Sequence, residues 1–148
     1  MFRGVAQLNL DSKGRLAMPA RHRDSLLARC NGHLVLTADS DRCVLIYPLP
    51  DWEPIEQKLM ALSSFNAQIR ELQRRLVGYA EDAQLDATGR ILISPALRSY
   101  AHLEKNVVLV GQGNKFELWN GDSWEQLMER TGGFGAGGLP PELEGFSL

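Results

Sequence analysis

The stretch Leu10-Asp11-Ser12-Lys13-Gly14-Arg15-Leu16-Ala17-Met18-Pro19-Ala20 returns later in the chain as Leu85-Asp86-Ala87-Thr88-Gly89-Arg90-Ile91-Leu92-Ile93-Ser94-Pro95-Ala96. Both copies read L-D-x-x-G-R, continue with apolar residues and end in Pro-Ala. By sequence alone, the second copy has one residue inserted before its proline. An internal repeat with this period indicates a fold assembled from two similar units.

The similarity of the two copies continues downstream of the repeated turn. Segment 34–37 corresponds to 107–110, and segment 44–47 corresponds to 116–119. Trp52 opens a helical stretch after the first copy, as Trp124 does after the second. The spacing between matching residues decreases along the chain, as expected where only loop lengths differ.

Each copy is predicted to consist mainly of short strands. Residues 5–10 alternate in polarity, which is typical of a half-buried strand, and residues 11–14 carry turn chemistry. Residues 15–18 are predicted to return as the second strand of a hairpin. Pro19 suits the first turn of a helix, and segments 34–37 and 43–47 are predicted to form a second hairpin. The predicted fold class is therefore α+β, mostly β with short helices.

A helical connector is predicted between the copies. Asp51 is its predicted N-cap, and Gly78 its end. Phe65, Ile69, Leu72 and Leu76 recur at helical spacing and predict one apolar face. The predicted organisation is a first motif at 1–50, the connector at 51–78, a second motif at 79–130 and a flexible Gly- and Pro-rich tail at 131–148.

Composition excludes some classes of function and favours another. The net charge is −2, but residues 1–30 hold six basic and only two acidic residues. This local basic excess suggests an anionic partner. No segment approaches the ~20 apolar residues of a membrane-spanning helix, and the two cysteines lack metal-site spacing, so we expect a cytoplasmic protein without a membrane or metal partner.

The duplicated D-x-x-G-R and the opening Met1-Phe2-Arg3-Gly4 resemble the MraZ family, bacterial proteins related to the AbrB/SpoVT swapped-hairpin DNA-binding proteins. The resemblance extends from Met1 to about Arg130. It implies two swapped-hairpin motifs that pair within one chain into a small barrel. It also implies a nucleoid-associated homo-oligomeric ring that binds short direct repeats in double-stranded promoter DNA. The implied target is the operon for cell division and cell-wall synthesis, and the implied effect is usually repression.

The resemblance assigns candidate DNA-binding residues. The family's D-x-x-x-R motif falls on Asp11 and Arg15, and again on Asp86 and Arg90. A ribbon of two strands can enter the major groove, where arginine reads guanine, so Arg15 is the candidate for base contact or for a nearby phosphate. Asp11 is predicted to orient Arg15. Phosphate contacts are predicted for Lys13, Arg3, Arg21 and Arg23.

The second copy is the weaker candidate for DNA contact. Thr88 occupies the position equivalent to Lys13, and Arg98 is the single arginine that corresponds to Arg21 and Arg23. The aspartate–arginine pairs could also be ion pairs that only lock each turn. For the first copy the two readings are evenly balanced, whereas for Arg90 and Asp86 the structural reading is favoured.

Three other functions stay open at this point. The chain could be a ring-forming scaffold for protein partners without direct DNA recognition. Some swapped-hairpin proteins are antitoxins, although the Gly-rich tail does not resemble a toxin-neutralising segment. An enzyme is not expected, because His22, His33 and His102 are isolated from any catalytic arrangement. We therefore expect no cofactor and no small-molecule substrate.

Overall fold

The protein contains eight strands and five α-helices in the part of the chain, residues 1–130 and 140–147, that the computed structural model describes. The predicted α+β class is confirmed. In chain order, the elements are β1 (Phe2–Asn9), β2 (Arg15–Ala17), α1 (Ala20–Cys30), β3 (His33–Ala38), β4 (Val44–Pro48), α2 (Leu49–Met60), α3 (Ala67–Leu76), β5 (Glu81–Gln84), β6 (Arg90–Leu92), α4 (Pro95–Tyr100), β7 (Asn106–Gly113), β8 (Lys115–Asn120), α5 (Gly121–Arg130) and a 3-10 turn at Pro141–Leu143.

Six strands form one antiparallel sheet that draws on both copies. Its order is β1-β7-β8-β4-β3-β5, so β1 of the first copy lies beside β7 of the second. The predicted hairpin β3–β4 is present, and β7–β8 is its counterpart. The sheet is not closed, because β1 and β5 are its outer strands. The barrel expected from the resemblance therefore takes the form of an open sheet covered by a separate ribbon.

That ribbon consists of β2 and β6 and joins the two copies. Leu16 pairs with Ile91, and both side chains are buried. The predicted hairpin of residues 15–18 with the preceding strand is wrong, because only a single bridge, between Leu10 and Leu16, links them. Each apolar strand instead pairs with its equivalent from the other copy, which buries both under one face of the sheet.

Two apolar cores lie on opposite faces of the sheet. The first core packs the sheet against the ribbon, α1 and α4, through residues such as Leu16, Leu26 and Leu97. The second lies under α2, α3 and α5, where Trp52 packs against Tyr47 of β4 and Trp124 packs against Trp119 of β8. Successive side chains of a strand point to opposite faces, so the strand pattern supplies both cores at once.

The two copies stay in constant register from the turn into the helix. The N–H of Met18 donates to Gly89 O, and the N–H of Ile93 donates to Gly14 O, both at 2.9 Å. Pro19 precedes α1 just as Ser94 precedes α4, and both are extended. The expected insertion before the second proline is therefore wrong. Pro19 of the first copy lies just before α1, whereas Pro95 of the second copy is the first residue of α4.

The connector is two helices rather than one. Helix α2 begins at Leu49, so Asp51 lies in its first turn and is not the N-cap that was predicted. Phe65 lies in the break between α2 and α3 and is 94% exposed, so it does not belong to the predicted apolar face. The side chain of Asn66 accepts the N–H groups of Gln68 and Ile69 and starts α3 anew.

Most of the predicted flexible tail lies outside the described residues, which omit 131–139 and 148.

Candidate nucleic-acid interface

The outer face of the β2–β6 ribbon brings the motif arginines of both copies together. Arg15 lies opposite Leu92, and Ala17 lies opposite Arg90. Since Leu16 and Ile91 point into the core, these four side chains share the outward face. Ala17 and Leu92 are exposed, and the two arginines are about one-third exposed. The Arg15 guanidinium is therefore accessible to solvent.

Asp11 organises the first turn and fixes the direction of Arg15. Its Oδ1 accepts the backbone N–H groups of Lys13 and Arg15, each at 2.9 Å. Its Oδ2 accepts Nε of Arg15 at 2.8 Å. The backbone hydrogen bond from Arg15 is the main reason that the pKa of Asp11 falls to about 2. Arg15 makes no other side-chain hydrogen bond with the described residues, so both Nη groups remain available to a ligand.

The second turn repeats this design with a looser arginine. Asp86 Oδ1 accepts the backbone N–H groups of Thr88 and Arg90 and the Thr88 hydroxyl. The pKa of Asp86 also falls to about 2, mainly through the backbone hydrogen bond from Arg90. Arg90 Nε, however, lies 3.4 Å from Asp86 Oδ2 without the geometry of a hydrogen bond, and its Nη1 lies 3.8 Å from Asp11. Arg90 is therefore shared between two carboxylates.

Two more arginines flank the ribbon by crossing to the opposite copy's turn. Arg23 of α1 lies against Gly89 and donates from Nη1 to Thr88 O at 3.3 Å. Arg98 of α4 lies against Gly14 and donates from Nε to Ile93 O at 3.0 Å. Arg98 was not among the predicted DNA-binding residues. Its separation from Arg23 along the sequence equals that between Arg15 and Arg90, and this match could have identified the pair.

The remaining residues that were predicted to contact DNA lie in different parts of the fold. Lys13 is exposed at the tip of the first turn. Arg21 lies on α1 with its guanidinium against Gly4, and its Nε donates to Nε2 of His22 at 3.4 Å. Arg3 is not brought to the ribbon: its partner in β7 is Gln112, so its side chain points to the sheet face that carries the second core.

Across residues 1–130 and 140–147, no group of three or more His, Cys, Asp or Glu side chains could hold a metal ion. Among the helices of these residues, none combines the length and apolar character needed to cross a membrane.

The duplication of the turn and its arginine is matched by a duplicated family signature. The family model described as "MraZ protein, putative antitoxin-like" matches residues 1–75 and again residues 76–133. The chain belongs to the MraZ family. Each match to the MraZ model contains one D-x-x-x-R turn, so the resemblance drawn from the repeat is confirmed.

Curated MraZ proteins are similar to this chain over its length. "Transcriptional regulator MraZ" of Nitrosospira multiformis is 60% identical over 148 residues and covers 100% of both chains. The protein of that name from Nitrosomonas eutropha is 59% identical over the same length, also with full coverage of both. The one from Thioalkalivibrio sulfidiphilus is 61% identical over 124 residues, which are 84% of this chain and 83% of the relative.

Proposed function

We propose that this MraZ chain is a sequence-specific DNA-binding transcriptional regulator that uses the outer face of the β2–β6 ribbon. The observation that carries the proposal is the presence of Arg15 and Arg90 on one exposed ribbon, with Asp11 directing Arg15. A two-stranded ribbon fits the major groove of B-DNA, where base pairs can be told apart. The relatives are named transcriptional regulators, which supports the same conclusion.

Arg15 is the proposed base-reading residue. Its Nε is held by Asp11, and this leaves two Nη groups side by side for guanine O6 and N7. The ion pair removes side-chain freedom before DNA arrives, which lowers the entropic cost of binding. Leu92 and Ala17 lie beside the arginines and are suited to thymine methyl groups. Arg90 is the weaker reader, because no hydrogen bond to a carboxylate fixes its direction.

Phosphate contacts are proposed for the cations around the ribbon. Lys13 at the turn, with Arg23 and Arg98 on either side, would neutralise backbone charge and set the register. Arg21 on α1 is a further candidate. Arg3 points to the opposite sheet face and would not contact the same stretch of DNA. Affinity should then fall steeply with salt, since each neutralised phosphate releases counterions.

We further propose that the chain acts as a homo-oligomeric ring on short direct repeats. One ribbon offers a small contact area, whereas linked copies raise the effective concentration of each next contact. An exposed apolar stretch runs from the end of α2 into the break before α3 and suits a neighbouring subunit; it consists of Met60, Leu62 and Phe65. The proposed target is the operon for cell division and cell-wall synthesis, and the proposed action is repression at the nucleoid in the cytoplasm.

A fluorescence anisotropy titration tests this function. The DNA immediately upstream of the chain's own gene is compared with a scrambled duplex at two salt concentrations, and the oligomer is sized by light scattering. We expect preference for the native duplex, and its loss in Arg15→Ala but not in Arg70→Ala, which removes the same charge from α3. A ring without any preference for the native duplex would overturn the proposal and favour the protein scaffold instead.

A further inference from the structure

A second basic groove lies away from the ribbon, between α3, the end of α4 and the β3–β4 turn. It is an open depression of about 450 Å³. Its wall contains three arginines (Arg42, Arg74 and Arg75), two tyrosines (Tyr79 and Tyr100) and one acid, Glu71. No DNA contact described above uses any of these residues. Within the described residues, no helix equivalent to α3 follows α5 of the second copy. The groove therefore occurs once in this part of the chain.

The arginines of this groove lack carboxylate partners. No ion pair in the described part of the chain includes Arg42, Arg74 or Arg75. Arg75 Nε is buried and has no hydrogen-bond acceptor among the described residues. A buried charged donor without an acceptor is costly, so the described residues leave the positive charge of Arg75 uncompensated at this atom.

The tyrosines give the groove an aromatic wall with a fixed position. The rings of Tyr79 and Tyr100 have centroids 5.0 Å apart, and the Arg42 guanidinium lies 4.5 Å from the Tyr100 centroid. The Tyr100 hydroxyl donates to Asp39 O at 2.6 Å and anchors the wall to the β3–β4 turn. The carboxylate of Asp39 instead accepts the N–H of Asp41 within that turn, and neither acid lines the groove.

We propose that this groove binds a small phosphorylated molecule of the nucleotide class. Guanidinium groups match phosphate oxygens with two parallel hydrogen bonds, and three of them line this groove together with a single carboxylate, Glu71. Arg42 already covers one face of the Tyr100 ring, but the exposed Tyr79 ring can stack on any base, because every base has a π-face. The volume lies within the usual range of small-molecule sites, roughly 300–1,000 Å³. The proposal is independent of the ribbon's proposed function.

Helix α4 separates the groove from the DNA-binding ribbon. Arg98 extends from α4 towards Gly14, whereas Tyr100, two residues later, faces the groove. Occupants of the two surfaces therefore contact different sides of one short helix. This placement allows the ligand and the DNA to be tested separately on the intact oligomer.

Calorimetric titration of the full-length protein with AMP tests the proposal. We expect one AMP per chain, with adenosine binding at least tenfold more weakly because it lacks the phosphate. The double variant Arg42→Gln/Arg74→Gln should bind AMP at least tenfold more weakly, because the loss of one charge-assisted hydrogen bond has roughly this effect. Arg70→Gln, on the same helix but outside the groove, should leave the AMP affinity unchanged.

Several results would overturn the proposal. These are absence of AMP binding to the wild type, unchanged binding by the double variant, or an equal loss in Arg70→Gln. Repeat-DNA titrations and light scattering of the double variant distinguish other occupants. A tenfold loss of DNA affinity would assign the groove to the DNA backbone, and a changed oligomer size would assign it to a subunit contact. Unchanged DNA affinity and size, with AMP binding lost, would support the proposal.

Discussion

Replacing Gly14 or Gly89 by alanine should displace the arginine that crosses from the other copy. Both glycines have positive φ, +83° and +78° respectively. A Cβ at Gly14 would lie 2.6 Å from Arg98 Cζ, and one at Gly89 would lie 2.4 Å from Arg23 Cδ. These distances are too short for unbonded atoms, so the arginine must leave its position.

The size of the effect can be worked out in two parts. The left-handed backbone costs an L-residue roughly 1–2 kcal/mol. Displacing the arginine removes one hydrogen bond, from Arg98 to Ile93 O or from Arg23 to Thr88 O, which adds about 1 kcal/mol. Gly14→Ala and Gly89→Ala should therefore lower the free energy of unfolding by roughly 2–3 kcal/mol.

Gly113→Ala is the matched control for this prediction. Gly113 has φ +78°, and its Cβ would meet only Met1 Cε at 3.5 Å, an ordinary contact. It carries the backbone cost without moving an arginine. By differential scanning calorimetry, Gly14→Ala should melt a few degrees below Gly113→Ala, since about 1 kcal/mol shifts Tm by roughly 2–4 °C at this chain length. Anisotropy should show weaker DNA binding by Gly14→Ala and Gly89→Ala only.

Equal melting temperatures for Gly14→Ala and Gly113→Ala would refute the close contact between the turn and Arg98. A clear stability difference without any change in DNA affinity would keep the contact but remove Arg23 and Arg98 from the proposed interface.

Three further substitutions test other parts of the structure. Lys13→Ala should make the negative slope of log affinity against log salt concentration shallower by about 0.9, and it should weaken binding to native and scrambled DNA alike. An unchanged slope in the titrations would remove Lys13 from the phosphate contacts. Burial, and to a smaller extent the charge of Arg21, lowers the pKa of His22 below 6.5 in the folded state. The contribution of neutral His22 to stability is therefore complete above pH 6.5. It is lost as the pH decreases from 6.5 towards the folded-state pKa, because the unfolded chain then binds the proton more readily. His22→Leu should flatten that part of a urea-denaturation profile, and a slope as steep as in the wild type would show that other groups cause it. Trp52→Ala should reduce the free energy of unfolding by about 3–5 kcal/mol in urea, followed by circular dichroism, because the side chain is 2% exposed in the second core; a loss below about 1 kcal/mol would contradict this packing.

The local chemistry of the turns could be predicted from the sequence. An aspartate four residues before an arginine, with glycine between them, accompanies the same hydrogen-bonded turn at Asp11 and again at Asp86. The strands of the β3–β4 hairpin were likewise predictable, because their apolar runs are short and bounded by turn residues. These features depend on neighbours within a few residues, which the sequence displays directly.

Strand partners and side-chain faces could not be predicted in the same way. Leu16 would be buried equally well against the preceding strand or against Ile91, and only the whole fold decides between them. Arg3 was predicted to contact phosphate together with Lys13, yet the face of its side chain depends on pairing with Gln112 of a distant strand. Phe65 fitted a helical spacing, but the cap at Asn66 starts the helix after it.

The exchange of strands makes the proposed DNA-binding surface a property of the whole chain. Arg15 and Arg90 share a face only because β2 pairs with β6, and each flanking arginine rests on the opposite copy's glycine. Neither copy alone contains both sides of this surface. Since β1 also reaches its partner β7 across most of the sequence, the cationic ribbon forms only when both copies have folded together. Duplication within one chain thus fixes the ratio and register of the two arginines, which the proposed base reading by the ribbon requires.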